Sequence, residues 1–470
     1  MKIKLLTFFS LLLISNTFAQ TLCSSGFAGV YPCNKIDLMA RLSLIQLGGT
    51  ASTEGNDCWG WTDPLNGKEY AIMGCTTHTA FVDITNPTVP IYLGKINSRN
   101  NISSIWRDIK VYNNYAFIVS EATGHGIQIF DLTRLRTITT PTIFTPDALY
   151  SGFGNCHNIA INEATGYAYC IGSNTFGGGP HVVNIQNPLN PVFSFGYSTD
   201  GYCHDAQIVI YNGPDSEHIG QEIFIGANET KVVVMNVTDK SNPITLSNFT
   251  YNNVAYTHQG WLTSDQKYWI VGDEEDEMNF GINTRSIIVD LTDLDNPVLK
   301  GEYFGSTAAI DHNGYTKGNE FYLANYRAGM RLINTSSIDA LGTMNEVAYF
   351  DTYPSSNSNQ FNGAWSNYPY FPSGNIIISD IERGLFIVRK NASLATSEFA
   401  IKKFKIYPNP AKNSFSIQSN IEIEEIVIYN SIGQMVKKFR QSNNYDISAL
   451  TKGIYFIRIN NAFSEKLIIE

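Results

Sequence analysis

Four histidines, His157, His204, His258 and His312, each open a copy of one short phrase, and they are the residues best placed to do chemistry in this chain. The phrase has seven copies: Cys58-Trp59-Gly60-Trp61, Arg107-Asp108-Ile109, His157-Asn158-Ile159, His204-Asp205-Ala206, His258-Gln259-Gly260-Trp261, His312-Asn313-Gly314-Tyr315 and Asn362-Gly363-Ala364-Trp365. They recur roughly every 50 residues, a period that signals solenoids, propellers or arrays. If the array closes into a ring, matched positions converge on its axis and up to four imidazoles face one central opening. Neutral imidazoles joined by a carboxylate from Asp108, Asp205 or Asp311 form a donor set for Zn, Cu, Ni or Fe. An open coordination position would then activate water for hydrolysis. Two other readings stand beside this one. In one, repetition copies a residue that hydrogen-bonds the neighbouring blade and satisfies a buried strand end; in the other, the imidazoles touch an organic ligand directly. Channel width bears on the choice, because it sets whether imidazoles around a seven-fold ring stand close enough to share one ion. Asp108 and Asp205 are also a candidate acid/base pair across the channel.

Asp273, Glu274, Glu275, Asp276 and Glu277 form the densest charge run. Five carboxylates after a strand suit Ca²⁺, which takes oxygen ligands from flexible loops. The spacing is not that of an EF-hand, and a solvated acidic loop is the alternative. Trp59, Trp61, Trp261, Tyr315 and Trp365 follow the first phrase at matching places, as wedges between blades or as platforms for sugar rings. Gly177-Gly178-Gly179 lacks the Gly-Lys-Ser/Thr ending of a phosphate loop and reads as a turn. His125 and His181 begin hairpins and are expected at the surface. No Gly-x-Ser-x-Gly elbow or zincin motif occurs.

The elements that position these residues follow from a second repeated phrase, seen in Phe81-Val82-Asp83-Ile84-Thr85, Ile129-Phe130-Asp131-Leu132-Thr133 and Ile288-Val289-Asp290-Leu291-Thr292. A β-branched and aromatic run ended by Asp or Asn is a strand stopped by turn chemistry. One strand fits between the two phrases and another follows the second, giving four short antiparallel strands per unit, a propeller blade. Seven units predict an all-β, seven-bladed β-propeller. The last unit lacks its own fourth strand, so residues 42–48 are expected to pair with residues 384–390 and clasp the ring, removing exposed sheet edges. Residues 404–470 then read as a small Ig-like β-sandwich. The expected division is a leader over 1–19, an N-terminal segment with the clasp strand over 20–48, the propeller over 49–390, a linker over 391–403 and the tail.

Composition bounds the rest. The chain has 470 residues and a formal charge of -10, with no basic stripe to neutralise phosphates, which argues against nucleic acid. Lys2 and Lys4 precede an apolar stretch and Thr17-Phe18-Ala19 offers a cleavage site, the pattern of a secretory signal. No later stretch has the length of a transmembrane helix. Seven cysteines in an exported chain suggest disulfides with one thiol left over. Cys23–Cys33 is the first expected pair, with Cys58–Cys75 and Cys156–Cys170 across hairpins. Cys156–Cys203 competes with the last of these.

The tail resembles the type A sorting domain of the Bacteroidota type IX secretion system. Tyr407-Pro408-Asn409-Pro410, the turn at Gly433 and the Gly453-Ile454-Tyr455 strand start carry the likeness. That resemblance implies export through the periplasm, contact with the type IX machinery, and release or attachment at the outer surface. The propeller region resembles the choice-of-anchor B family, with its LVIVD-type repeats. Its distinctive stretches here are Tyr256-Thr257-His258-Gln259-Gly260-Trp261, Ile310-Asp311-His312-Asn313 and Asn325-Tyr326-Arg327-Ala328-Gly329. The family brings no established activity. The expected role is a binding scaffold for an unknown surface polymer or protein. A metal-dependent hydrolase or lyase using the His set, and a structural surface-layer component, are the alternatives.

Overall fold

The computed structural model describes residues 20–391 and, in the C-terminal segment, 404–419, 423, 425–430, 434–440, 442, 444–459 and 463–470. The expected leader, nearly all of the expected linker, and Gly433 lie outside the described residues. The chain divides into two compact units after Asn391.

Within the first unit, seven sheets correspond to the seven sequence units, each with four antiparallel strands; Thr142–Phe144 adds a parallel edge strand to the first. The inner strands are Gly55–Thr62, Arg107–Tyr112, Asn158–Asn162, Asp205–Ile210, Thr257–Leu262, Gly314–Lys317 and Ala364–Tyr368, in blades 1 to 7. Each lies against the next, and the last returns to the first. The fold is therefore a closed seven-bladed propeller.

The turn chemistry behind the second phrase is visible residue by residue. Asp83, Asp131, Asn184, Asn236, Asp290 and Asn334 each accept, through Oδ1, the backbone N–H two residues on. These Asx turns stop the third strand and aim the chain toward the fourth. Apolar residues of facing blades then interdigitate. Phe81 and Phe130, from blades 1 and 2, lie 4.8 Å apart between ring centroids, and Phe144 is 5.0 Å from Phe130.

The clasp is present, but its strand lies earlier than expected. Ile36–Leu42 pairs antiparallel with Gly384–Lys390, from Ile36 opposite Lys390 to Leu42 opposite Leu385. The expected segment 42–48 is mostly a turn, closed by Leu47 N–H to Ser43 O and Gly49 N–H to Leu44 O. Its apolar residues mimic a strand because Leu44 and Leu47 plug the seam between blades 7 and 1. The clasp carries the same register shift between third and fourth strands seen in blades 1, 3, 4, 5 and 6. It behaves as the missing strand of blade 7.

Cys23–Cys33 forms the expected disulfide, while Cys58, Cys75, Cys156, Cys170 and Cys203 remain buried thiols. Register explains the failure of the hairpin pairs. Cys58 sits opposite Met73, and Cys75 opposite Gly55, so the two sulfurs are diagonal neighbours. Diagonal positions stand about 7–8 Å apart, beyond disulfide reach. Cys170 sits opposite Ile159, while the Cys156 thiol is turned to the carbonyls of Asn158 and Ile171.

The second unit holds a three-stranded and a four-stranded sheet around Ile406, Phe415, Ile426, Tyr445 and Ile457, which makes it a small β-sandwich. No helix among the described residues is long and apolar enough to cross a membrane.

Candidate functional site

Two stacked layers, offset by one residue, ring the channel, and five copies of the first phrase supply them as read. In blade 1 the matching residue is Asp57, just before the expected copy, and in blade 7 they are Trp365 and Ser366, at and beyond the end of the expected one. The upper layer includes Arg107, His157, His204, His258, His312 and Trp365. The layer beneath includes Asp57, Asp108, Asn158, Asp205, Gln259, Asn313 and Ser366, one residue later in each blade. Successive strand residues point to opposite faces, so the two layers do different work.

The lower layer staples blades together. Asp108 accepts the Ile159 N–H of blade 3 at 2.8 Å, Asn158 donates to Asp205 at 2.9 Å, and Gln259 exchanges two bonds with Gly314. Lys110 lies 2.6 Å from Asp108 and 3.7 Å from Asp57. Burial raises the Asp108 carboxyl, but Lys110 and the hydrogen bonds from Asp57 and Ile159 outweigh it and hold the group low. Burial pushes Asp205 up to about 8 despite Lys110. Both carboxylates bond the strands around them, and both also line the narrow channel space beneath the histidines.

The upper layer bridges blades too, as the repeat allowed, and it also lines a pocket. His157, His204, His258 and His312 stand on consecutive blades, with neighbouring ring centroids 4.1, 4.3 and 4.4 Å apart. They form an arc, and Trp365 extends it 4.9 Å beyond His312. A channel this wide brings neighbours together but not all four rings onto one ion. Three rings are oriented from behind through Nδ1: His157 by the Glu121 carboxylate at 2.6 Å, His204 by the carbonyl of His258 at 3.1 Å, and His312 by the carbonyl of Trp365. A carbonyl only accepts, so Nδ1 of His204 and His312 carries the proton and Nε2 presents a lone pair. Burial, then neighbouring imidazoles, pushes His204 and His258 down, and burial takes His312 to about 3.

Glu274 completes the site. Its Oε2 lies 3.6 Å from His258 Nε2, its Oε1 3.5 Å from His312 Nε2, and Tyr326 donates its hydroxyl to Oε1 at 2.8 Å. Burial pushes this carboxyl up to about 7. The sequence grouped Glu274 in a candidate calcium loop; in the structure Glu274 turns to the channel, while Asp276 and Glu277 lie together beside Asp311. Asp273 accepts the N–H groups of Ala255 and Tyr256, and Asp276 pairs with Arg285 at 2.7 Å. Glu275 precedes the short helix Asp276–Phe280, and Glu277 accepts the Asp311 N–H. Asp311 points away from the channel toward Gly272 and Glu277, so it is not a partner of the imidazoles.

A signal for Glu274 existed in the repeat. The residue that ends the second strand returns to the level of the upper layer, because second and first strands are antiparallel. Glu121 in blade 2 occupies that place toward His157, as Glu274 in blade 5 does toward His258 and His312.

Above the arc opens a pocket of about 390 Å³, lined by Ile105, Trp106, Tyr326, Phe361, Trp365 and Ile381 with Glu54, Glu274, Glu382, Asn362 and the four histidines. Tyr326 is held there at φ 27°, a left-handed conformation costly for a bulky residue. The other aromatics of the first phrase divide. Trp61 and Tyr315 are packing, with Trp61 stacked on Tyr70 at 5.0 Å. Trp59 and Trp261 line a second hollow at the far ends of the inner strands. His125 and His181, expected at the surface, are buried: His125 takes Arg107 at 2.9 Å, and His181 lies 2.7 Å from the Tyr150 hydroxyl.

Residues 405–470 match the family described as the secretion system C-terminal sorting domain. A 70-residue stretch is 43% identical to Beta-agarase A of Zobellia galactanivorans, covering 14% of this chain and 13% of that one. Among solved structures, PorZ, an essential bacterial surface component of the type-IX secretion system of Porphyromonas gingivalis, aligns at TM-score 0.45 and 12% identity over 86% of this chain and 58% of its own. The C-terminal WD40 domain of Sif2 aligns at 0.45 and 7% identity, over 72% of this chain and 97% of its own. The sorting domain directs the chain through the type IX system to the cell surface or the medium.

Proposed function

We propose that this chain is an exported binding scaffold of the choice-of-anchor B kind, whose propeller captures the end of a neutral glycan in the pocket above the histidine arc. The observation that carries this reading is the lining of that pocket. Trp106, Tyr326, Phe361 and Trp365 offer aromatic surface, Glu54, Glu274 and Glu382 offer acceptors, and no Lys or Arg is among the lining residues. A sugar has an apolar ring face to stack and hydroxyls to donate, which matches both features. Phosphate, sulfate or uronate groups would call for Arg or Lys, and the lining has neither.

The test is a glycan array followed by titration of the full chain with the best neutral ligand. Trp106→Ala, at a residue 45% exposed, is expected to weaken capture about tenfold or more while leaving the melting temperature unchanged. Preference for acidic polymers, or capture indifferent to Trp106, would contradict the reading. Metal-dependent hydrolysis is the second reading, favoured by the meeting of His258, His312 and Glu274.

A further inference from the structure

We propose that His258, Glu274 and His312 form a three-ligand site for a zinc-like transition-metal ion, with its open coordination position facing the pocket. The inference rests on the pocket reading only for what that open position would meet, the vicinal hydroxyls of a sugar. Three observations support the site itself.

The first is a confrontation of acceptors. His312 Nε2 presents a lone pair, fixed by the bond of its Nδ1–H to the Trp365 carbonyl. Opposite it, at 3.5 Å, stands Glu274 Oε1, which already receives the Tyr326 hydroxyl proton. His258, 2% exposed, brings its Nε2 to the other carboxylate oxygen, and its Nδ1 has no hydrogen-bond partner, so the ring is not committed to any protein group. The facing acceptors of His312 and Glu274 call for a cation between them.

The second is spacing. The two imidazoles face the two oxygens of one carboxylate, His258 Nε2 at 3.6 Å from Oε2 and His312 Nε2 at 3.5 Å from Oε1, and one donor atom from each residue can be chosen with all three within 4.8 Å. Ligands of a tetrahedral zinc stand roughly 3.3–3.6 Å apart, so a small inward movement of these side chains would seat one ion. Direct hydrogen bonds would close to about 2.7–3.2 Å.

The third is support from behind. The Trp365 carbonyl orients His312, and the Tyr326 hydroxyl holds Glu274, the outer contacts that fix metal ligands and their tautomers. Two imidazoles and one carboxylate favour zinc, copper or nickel over calcium or magnesium, which take oxygen ligands.

The contrast with Asp215, His218 and Asp295 is instructive. That cluster also gathers three donors, yet His218 bonds Gln221 and Asp295 through its two nitrogens, and Asp215 accepts the N–H groups of Glu217 and Leu294. It is a finished staple between loops.

The experiment is titration of the metal-stripped full chain with Zn²⁺ alone, repeated with Co²⁺ for its visible spectrum. Wild type is expected to bind one equivalent with a dissociation constant of about 1 μM or tighter. The His258→Ala/His312→Ala double variant is expected to weaken binding at least about 100-fold, and Tyr326→Phe about tenfold. His218→Ala should leave it intact, and circular dichroism checks that each variant is folded. Absence of Zn²⁺ and Co²⁺ binding to folded wild type overturns the proposal, as does tight binding that survives the double variant. Zinc binding without glycan capture would sink the pocket reading alone; capture without zinc binding would sink the metal site alone.

Discussion

At the scale of single residues, adjacent positions in the phrase both bond neighbouring blades, and only the upper one also lines the pocket above the arc. Asp108, in the lower layer, serves the ring. Asp108→Ala would strand Lys110, 8% exposed, with only Asp57 at 3.7 Å, and deprive Ile159 N–H of its acceptor. Breaking a buried pair from one side costs about 3–5 kcal/mol, and urea unfolding should show a loss of that size. His181 offers a pH test away from the channel. It is 3% exposed among Phe153, Phe176 and Phe193, and burial takes it down to about 4. An unfolded histidine titrates near 6.5, so the unfolded state binds the proton first. Stability from this residue is fully present above about pH 6.5 and is lost as pH falls toward 4. The stability of wild type minus that of His181→Gln should shrink by roughly 3 kcal/mol between pH 7 and pH 4. A pH-independent difference would contradict this reading.

At the scale of elements, the clasp carries the closure of the ring. Removing residues 20–42 is expected to expose the Gly384–Lys390 edge and cause aggregation or a melting temperature lower by more than about 10 °C. Ile45→Ser, in the turn and 65% exposed, should change stability by less than about 0.5 kcal/mol. Thiol titration should find five reactive cysteines after denaturation without reductant and essentially none in the native chain, because Cys58, Cys75, Cys156, Cys170 and Cys203 are all buried. Blades were legible in the sequence because Asx turns recur at fixed offsets from apolar strands, and local chemistry writes both signals. The clasp position was misread because Leu44 and Leu47 are apolar for seam packing rather than for strand pairing. Disulfide pairs depend on register, and the bulge between Gly55 and Cys58 is not visible in composition. Glu274 was seen as one charge in a run. Its role depends on where the second strand ends relative to the next blade, which only the closed ring sets.

At the scale of the molecule, a closed propeller is joined on one chain to a sorting domain that delivers it, and recognition is the role proposed for the propeller. Removing residues 404–470 should leave the propeller folded with its melting temperature little changed, while cell fractionation finds it retained before the outer surface. His204 and His312 bond neighbouring blades, whereas the His258 ring makes no such bond, and the proposed metal site makes that ring a binding group that the fold does not need. Four imidazoles buried side by side, one with an unbonded nitrogen, are a cost to the empty protein. Functional sites of this kind are held at the expense of stability. The decisive measurement is thermal unfolding of metal-stripped wild type and His258→Leu, with and without added Zn²⁺. If the site binds metal, the variant melts at or above the wild-type temperature when metal is absent, and zinc raises the melting temperature of wild type only. A variant that melts several degrees lower in the absence of metal, with zinc affecting neither protein, would show that the arc serves to hold the blades together.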